Sequence, residues 1–310
     1  MNSFRSIRRL LLTVVLLAVV LAPRPGRACA CGCGVFDAGP RSIFPTGEGG
    51  LVFMEYNYVN QDQNWSGSSS ANAADNADKV IRTSFFTAGC QYMYDADWGA
   101  LLEVPYWYRT FETDDGSGGV RHATHDALGD IRIKGIYDGF SPDHSAGLTF
   151  GLKLPTGDYT YSGFDRDTNI GTGSTDALLG GFLRGRLPVG NHWDWFATGQ
   201  MDQPFLYHGG YRPGSDVTLV GGIYYSGWSI GDVQIAPLLQ ATAAHHWRDR
   251  GSAANPADSG YDRLILSSGV EADWGDYKFY ADVGCPAYQH VNGNQLVAPV
   301  QGTVRMSYSF

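Results

Sequence analysis

The chain ends Gly302-Thr303-Val304-Arg305-Met306-Ser307-Tyr308-Ser309-Phe310. Successive side chains of an extended strand point to opposite faces. Val304, Met306, Tyr308 and Phe310 therefore share one face, and Thr303, Arg305, Ser307 and Ser309 the other. Strict alternation that stops on an aromatic suits a wall with lipid on one side and water on the other. A soluble antiparallel sheet also alternates, so the constraint comes from repetition along the chain. Leu148, Phe150, Leu152 and Leu154 alternate with Thr149, Gly151 and Lys153. Phe279, Ala281 and Val283 alternate with Lys278, Tyr280 and Asp282. A charge on the lipid face of a barrel costs about 2–4 kcal/mol at mid-membrane, which turns the charged set inward.

The pattern predicts about twelve strands: Leu51–Gln61, Lys79–Tyr94, Trp98–Glu112, Leu128–Asp138, Ser145–Leu154, Asp176–Val189, Trp193–Tyr207, Asp216–Ser226, Val233–Trp247, Tyr261–Trp274, Tyr277–His290 and the terminal strand. Their connections alternate short and long, with long ones at Asp62–Asp78, Thr113–Ala127, Pro155–Thr175 and Arg248–Gly260. Strands of 11 to 16 residues exceed the usual length in soluble sheets. The expected fold is an all-β, antiparallel, up-and-down transmembrane barrel over residues 50–310. In such barrels short turns are periplasmic and an even strand number leaves both termini on that side.

The N-terminus reads as an address. Arg5, Arg8 and Arg9 precede an apolar run from Leu10 to Leu21, then Pro23 and small residues up to Ala28 and Ala30. This is the layout of a secretory signal peptide, assigned to residues 1–28, with cleavage after Ala28 or Ala30. The apolar run has about twelve residues, short of the roughly 20 of a spanning helix. Removing its five arginines from 22 basic residues leaves 17 against 31 acidic, a net charge of −14. That excludes a nucleic-acid binder, which needs a basic surface. With only 17% charged residues but 18 Tyr and 8 Trp, the composition suits strands with aromatic girdles.

The expected inward set is Glu55, Glu103, Arg109, Arg132, Lys134, Lys153, Arg184, Arg186, Asp202, Glu271, Asp282 and Arg305. Mixed signs describe a wet lumen with ion-pair ladders. At Lys153-Leu154-Pro155-Thr156-Gly157 a strand leaves into a long loop, Pro155 ending the ladder and Gly157 permitting a bend. With the signal peptide and the terminal Phe310, this resembles the outer-membrane channel family associated with the meta-cleavage pathway of phenol degradation. The resemblance implies a barrel with a transport role in the outer membrane of a Gram-negative bacterium, and no catalytic residues. Tyr308 and Phe310 likewise resemble the C-terminal signal read by the barrel-assembly machinery.

Cys29-Ala30-Cys31-Gly32-Cys33 departs from a bare channel. Residues 29–49 are expected to form a periplasmic Cys-rich segment ahead of the barrel. Thiolates suit Cu(I), Zn(II) or iron–sulfur centres; oxidised, the same thiols pair with one another or with Cys90 or Cys285. His122, His125, His245 and His246 read as solvated loop or girdle histidines, and the aspartates of the Pro155–Thr175 loop lack calcium-loop spacing. No nucleophile elbow, phosphate loop or zinc-protease motif occurs, so no enzyme is expected. Two functions follow. The first is an outer-membrane channel for uptake or efflux of small solutes, hydrophobic or aromatic ones among them, with lipid and solute as partners, no nucleic acid, and no cofactor required. The alternative is a metal- or redox-linked barrel in which Cys29, Cys31 and Cys33 bind an ion or dock a periplasmic metalloprotein.

Overall fold

The computed structural model describes Phe44 and residues 48–310. The alternating segments form β1 (Gly49–Gln61), β2 (Asp78–Met93), β3 (Trp98–Asp114), β4 (Val120–Leu128 continued by Arg132–Tyr137) and β5 (Ala146–Lys153). They continue as β6 (Ser174–Arg186), β7 (Trp193–Tyr207), β8 (Asp216–Tyr225) and β9 (Val233–His246). The last are β10 (Tyr261–Trp274), β11 (Tyr277–Val297) and β12 (Gln301–Ser309). Each strand pairs antiparallel with its chain neighbours, and β12 pairs with β1 from Leu51↔Ser309 to Val59↔Gln301. The sheet is thus a closed antiparallel barrel of twelve strands. Closure removes the edges that would otherwise leave backbone groups unpaired in lipid.

The seam shows how the last residue closes the ring. Phe310 N–H donates to Gly50 O at 2.9 Å, and Gly50 N–H donates to Phe310 O at 2.8 Å. The Phe310 ring lies over Gly50, where a Cβ would stand 2.2 Å from Cζ. Only glycine leaves room for it. Both ends of the wall lie together with the short connections at one rim, called here the terminal rim, and the long loops crown the other.

Burial is inverted relative to a soluble protein. Leu179 is 59% exposed and Leu239 60%, both on the outer face, while Arg109 and Glu271 inside are each 1% exposed. Aromatic rings crowd the outside near the terminal rim: Trp98 packs on Tyr137 at 4.6 Å, Trp193 on Tyr225 at 5.2 Å, and Tyr277 on Tyr308 at 5.1 Å. This is a girdle of the kind that marks a membrane interface.

Two expected loops are strand instead. Within the expected Thr113–Ala127 loop, Val120–Leu128 continues β4 against β3. The stretch expected to link Tyr277–His290 to the terminal strand is likewise strand in its first part: β11 runs to Val297 past a register shift between Val291 and Asn294. Both extensions stand at the loop-bearing rim, where no lipid imposes alternation. Short β12 stops before β11 does, and Gln63–Gly67 takes over as partner of the exposed stretch of β11. The expected signal peptide and the Cys29, Cys31 and Cys33 cluster lie outside the described residues. Cys90 and Cys285 are free and exposed. Both share the outward phase of their strands, with Tyr92 and Val283, so the wall stands between them and the lumen.

Candidate functional site

The interior holds a cavity of about 260 Å³. Eight of the expected inward residues line it: Glu55, Glu103, Arg109, Arg132, Lys134, Lys153, Asp202 and Arg305. Glu271 and Asp282 also face inward but stand outside this lining; Asp282 accepts from Gln240 Nε2 at 3.0 Å. Arg184 stands nearer the terminal rim, beside Phe44. Arg186 is exposed and pairs with Asp194 at 3.3 Å, so it belongs to the rim rather than to the cavity.

Strand register builds the charges into ladders. Glu271↔Tyr280↔Arg305↔Glu55 follow one another across β10, β11, β12 and β1. Glu103↔Arg132↔Lys153↔Asp176 do so across β3 to β6. Arg305 Nη2 lies 2.6 Å from Glu55 Oε2, Lys134 Nζ 3.0 Å from Glu103, Arg132 3.1 Å from Asp202, and Lys153 2.5 Å from Asp176. Taking such charges out of bulk water costs several kcal/mol each unless they are paired, and these four pairs set opposite charges against one another. Seven carboxylates and six Lys or Arg side chains line the cavity. Among them stand Phe53, Phe85, Trp107, Tyr211 and Tyr261, with Phe85 and Trp107 edge to face at 4.7 Å.

The connection from β5 to β6 folds inward and supplies one side of the cavity, through Arg166, Asp167, Asn169, Ile170, Gly171 and Thr172. Its hold on the wall begins with a proline. Pro105 on β3 offers no N–H, and β4 breaks opposite it at Gly129–Ile131, four steps of β4 spanning three of β3. The break frees Asp130, whose carboxylate accepts from Gly157 N–H at 3.0 Å, Thr172 N–H at 3.0 Å and Thr172 Oγ1 at 2.6 Å. Thr156 Oγ1 donates to Gly129 O and accepts from Ile131 N–H, both at 2.9 Å. Gly157 and Gly171 close the loop's neck backbone to backbone; a Cβ on Gly171 would stand 2.3 Å from the Gly157 carbonyl. The residues of the Lys153-to-Gly157 motif are therefore the hinge of an inward loop. At the loop's tip, Arg109 Nη1 donates to Thr168 O and Phe164 packs with Ile81, Phe111 and Leu296.

Sequence reasoning missed several of these groups. Asp176, expected only as the first residue of a strand and not among the lining charges, is the partner of Lys153. His246 was read as a solvated histidine. It is 3% exposed, with Nδ1 2.7 Å from Asp216 and Nε2 3.0 Å from Asp249. Asp249 also accepts from Tyr211 Oη at 2.8 Å and Gly214 N–H at 2.7 Å, tying two crown loops together. Burial pushes the Asp249 carboxyl up, but the His246, Gly214 and Tyr211 hydrogen bonds outweigh it and hold the group below the usual carboxylate range. His125, expected in a loop, lies on β4, stacks on Tyr161 at 4.1 Å and meets Asp158 at 3.0 Å. The one signal available was spacing. Asp216 begins a strand and His246 ends one, the positions from which side chains reach a crown loop.

Phe44 occupies the other end of the lumen. It is 4% exposed, packs on Phe182 at 4.9 Å and Phe196 at 6.2 Å, and joins a cluster with Met93, Ile136 and Val220.

No protein-family model matches this chain, and no curated protein matches it in sequence. Solved structures do resemble it. An outer membrane channel from Pseudomonas putida F1 superposes with a TM-score of 0.66 at 12% identity, over 89% of this chain and 100% of that one. The beta domain of the Bordetella autotransporter BrkA gives 0.52 at 13%, over 85% and 100%. The Pseudomonas putida toluene transporter TodX gives 0.43 at 11%, over 86% and 90%. At these identities the likeness speaks for the fold alone. The fold is that of bacterial outer-membrane β-barrels.

Proposed function

We propose that the protein is a channel of the Gram-negative outer membrane for small solutes, hydrophobic or aromatic ones among them. In this reading the terminal rim faces the periplasm, residues 1–28 are removed on export, and residues 29–49 lead from the periplasm into the barrel, with Phe44 reaching into the lumen. Tyr308 and Phe310 serve as the signal for the barrel-assembly machinery. The observation that carries the reading is the cavity itself, which combines opposed charges with aromatic rings. A cavity of about 150 Å³ is enough to take up benzene, so the space here admits a molecule of one ring. The ladders of fixed charge favour solutes that add a polar or ionised group to that ring.

The expected inward residues act in this scheme as lining. The ion pairs keep opposite charges matched, so no strong preference for one sign of solute follows. Liposome swelling with purified mature protein tests the reading. Entry of single-ring organic solutes supports it, whereas no permeability to any small solute refutes it.

A further inference from the structure

A second cluster lies at the terminal rim, away from the cavity. Asp97 sits in the turn between β2 and β3, Asp138 directly after β4, and His144 just before β5. One ligand atom from each lies within 4.8 Å of the others. The ladder brings the carboxylates together, since Trp98 pairs with Tyr137 and Asp138 N–H donates to Asp97 O at 2.9 Å. Gly139 permits the approach: a Cβ there would stand 2.6 Å from Asp97 Cγ.

Asp138 is 0% exposed, and neither of its carboxylate oxygens receives a hydrogen bond. His144 Nδ1 stands 3.2 Å from Asp138 Oδ1 without hydrogen-bond geometry; the ring is half-buried, and this nitrogen is shielded from solvent. A buried carboxylate without donors is costly. Two donors bound to one zinc at about 2.0–2.1 Å in tetrahedral geometry are about 3.3 Å apart. The His144–Asp138 separation already matches that edge.

We propose that Asp97, Asp138 and His144 form a binding site for a divalent transition-metal ion, with Zn(II) the representative. One imidazole and two carboxylates suit such an ion better than Mg(II) or Ca(II), which take oxygen ligands. Two carboxylates neutralise its charge, and water completes the shell. The bound ion ties the ends of β3, β4 and β5 together at the rim. This site needs none of the N-terminal cysteines.

The test is calorimetric titration of zinc into detergent-solubilised, chelator-stripped mature protein, alongside a variant with Cys29, Cys31 and Cys33 changed to Ser. Both should bind one ion at the rim site, and zinc should raise the temperature at which the folded band converts to the unfolded one on gels. His144→Ala, Asp138→Asn and Asp97→Asn should each weaken binding at least tenfold and abolish the zinc-dependent shift. If buried Asp138 or His144 proves necessary for assembly, Asp97→Asn decides. Absence of stoichiometric binding in the cysteine-free barrel, or binding unchanged in Asp97→Asn, overturns the proposal.

Discussion

The two ends of the lumen are narrowed by opposite kinds of chemistry. Toward the crown, charged groups fix the β5–β6 loop, with Phe164 packed at its tip: Asp130 takes three hydrogen bonds from the loop, and Arg109 reaches the tip. Toward the terminal rim, Phe44 stands among Phe182, Phe196, Met93, Ile136 and Val220, an apolar cluster. Directional bonds to a charged acceptor set one loop geometry, whereas apolar packing is non-directional and follows volume. The crown constriction should therefore be the rigid one and the Phe44 constriction the adaptable one.

The largest expected effect comes from the ladder beneath the crown loop. Lys153→Met leaves Asp176 and Asp130 facing each other without their cation. Removing one partner of a buried pair costs about 3–5 kcal/mol, so the temperature of the folded-to-unfolded band shift should drop steeply. An unchanged temperature would mean that lumen water already solvates these carboxylates.

Phe44→Ala comes next. Truncating a buried Phe costs about 3–5 kcal/mol, but here the loss falls on a side chain inside the lumen rather than on the pairing of the wall's strands. Solute flux should rise while the barrel's melting temperature holds. A fall in melting temperature without a gain in flux would make Phe44 a structural contact.

Asp130→Ala removes an acceptor of three bonds. Hydrogen bonds to charged groups contribute about 1.5–3 kcal/mol each, partly replaced by water in a wet lumen. Faster proteolysis within residues 158–171, at unchanged barrel stability, is expected. Protection equal to wild type would transfer the hold to Arg109.

The smallest effect concerns the crown latch at Asp249. Its carboxyl is held below the usual range, so its contribution is present above the unfolded value of about 3.9 and is lost as pH falls through the folded value. Hydrogen exchange in residues 247–260 should accelerate below about pH 4, and Asp249→Asn should flatten that response. An acid-independent exchange profile would leave the latch to His246 and Asp216 alone.

The wall was legible because lipid enforces it. Met306, Tyr308 and Phe310 could face only outward, and Arg305 only inward, so register and phase followed from alternation. The same rule carries no information beyond the membrane. Val120–Leu128 has His and Thr mixed with Ala, and it forms strand through pairing with β3 rather than through any apolar face. The inward loop was legible only as a punctuation mark: Pro155 and Gly157 announced a bend but not its direction. That direction depends on Asp130 and on the break opposite Pro105, which lie some 25 to 50 residues earlier in the chain. Asp176 and His246 were hidden for a similar reason, each drawing its role from a neighbouring strand or loop.

The central claim is that solute passes through this charged and aromatic cavity. Thr218 on β8 lines it, and Thr218→Trp would place a large ring there without touching an ion pair. Liposome swelling rates for a single-ring organic acid, compared between wild type and Thr218→Trp with folding checked by band mobility, test the claim directly. Rapid swelling with wild type and little with the folded variant is predicted. Equal rates for both, or no entry with either, would contradict it.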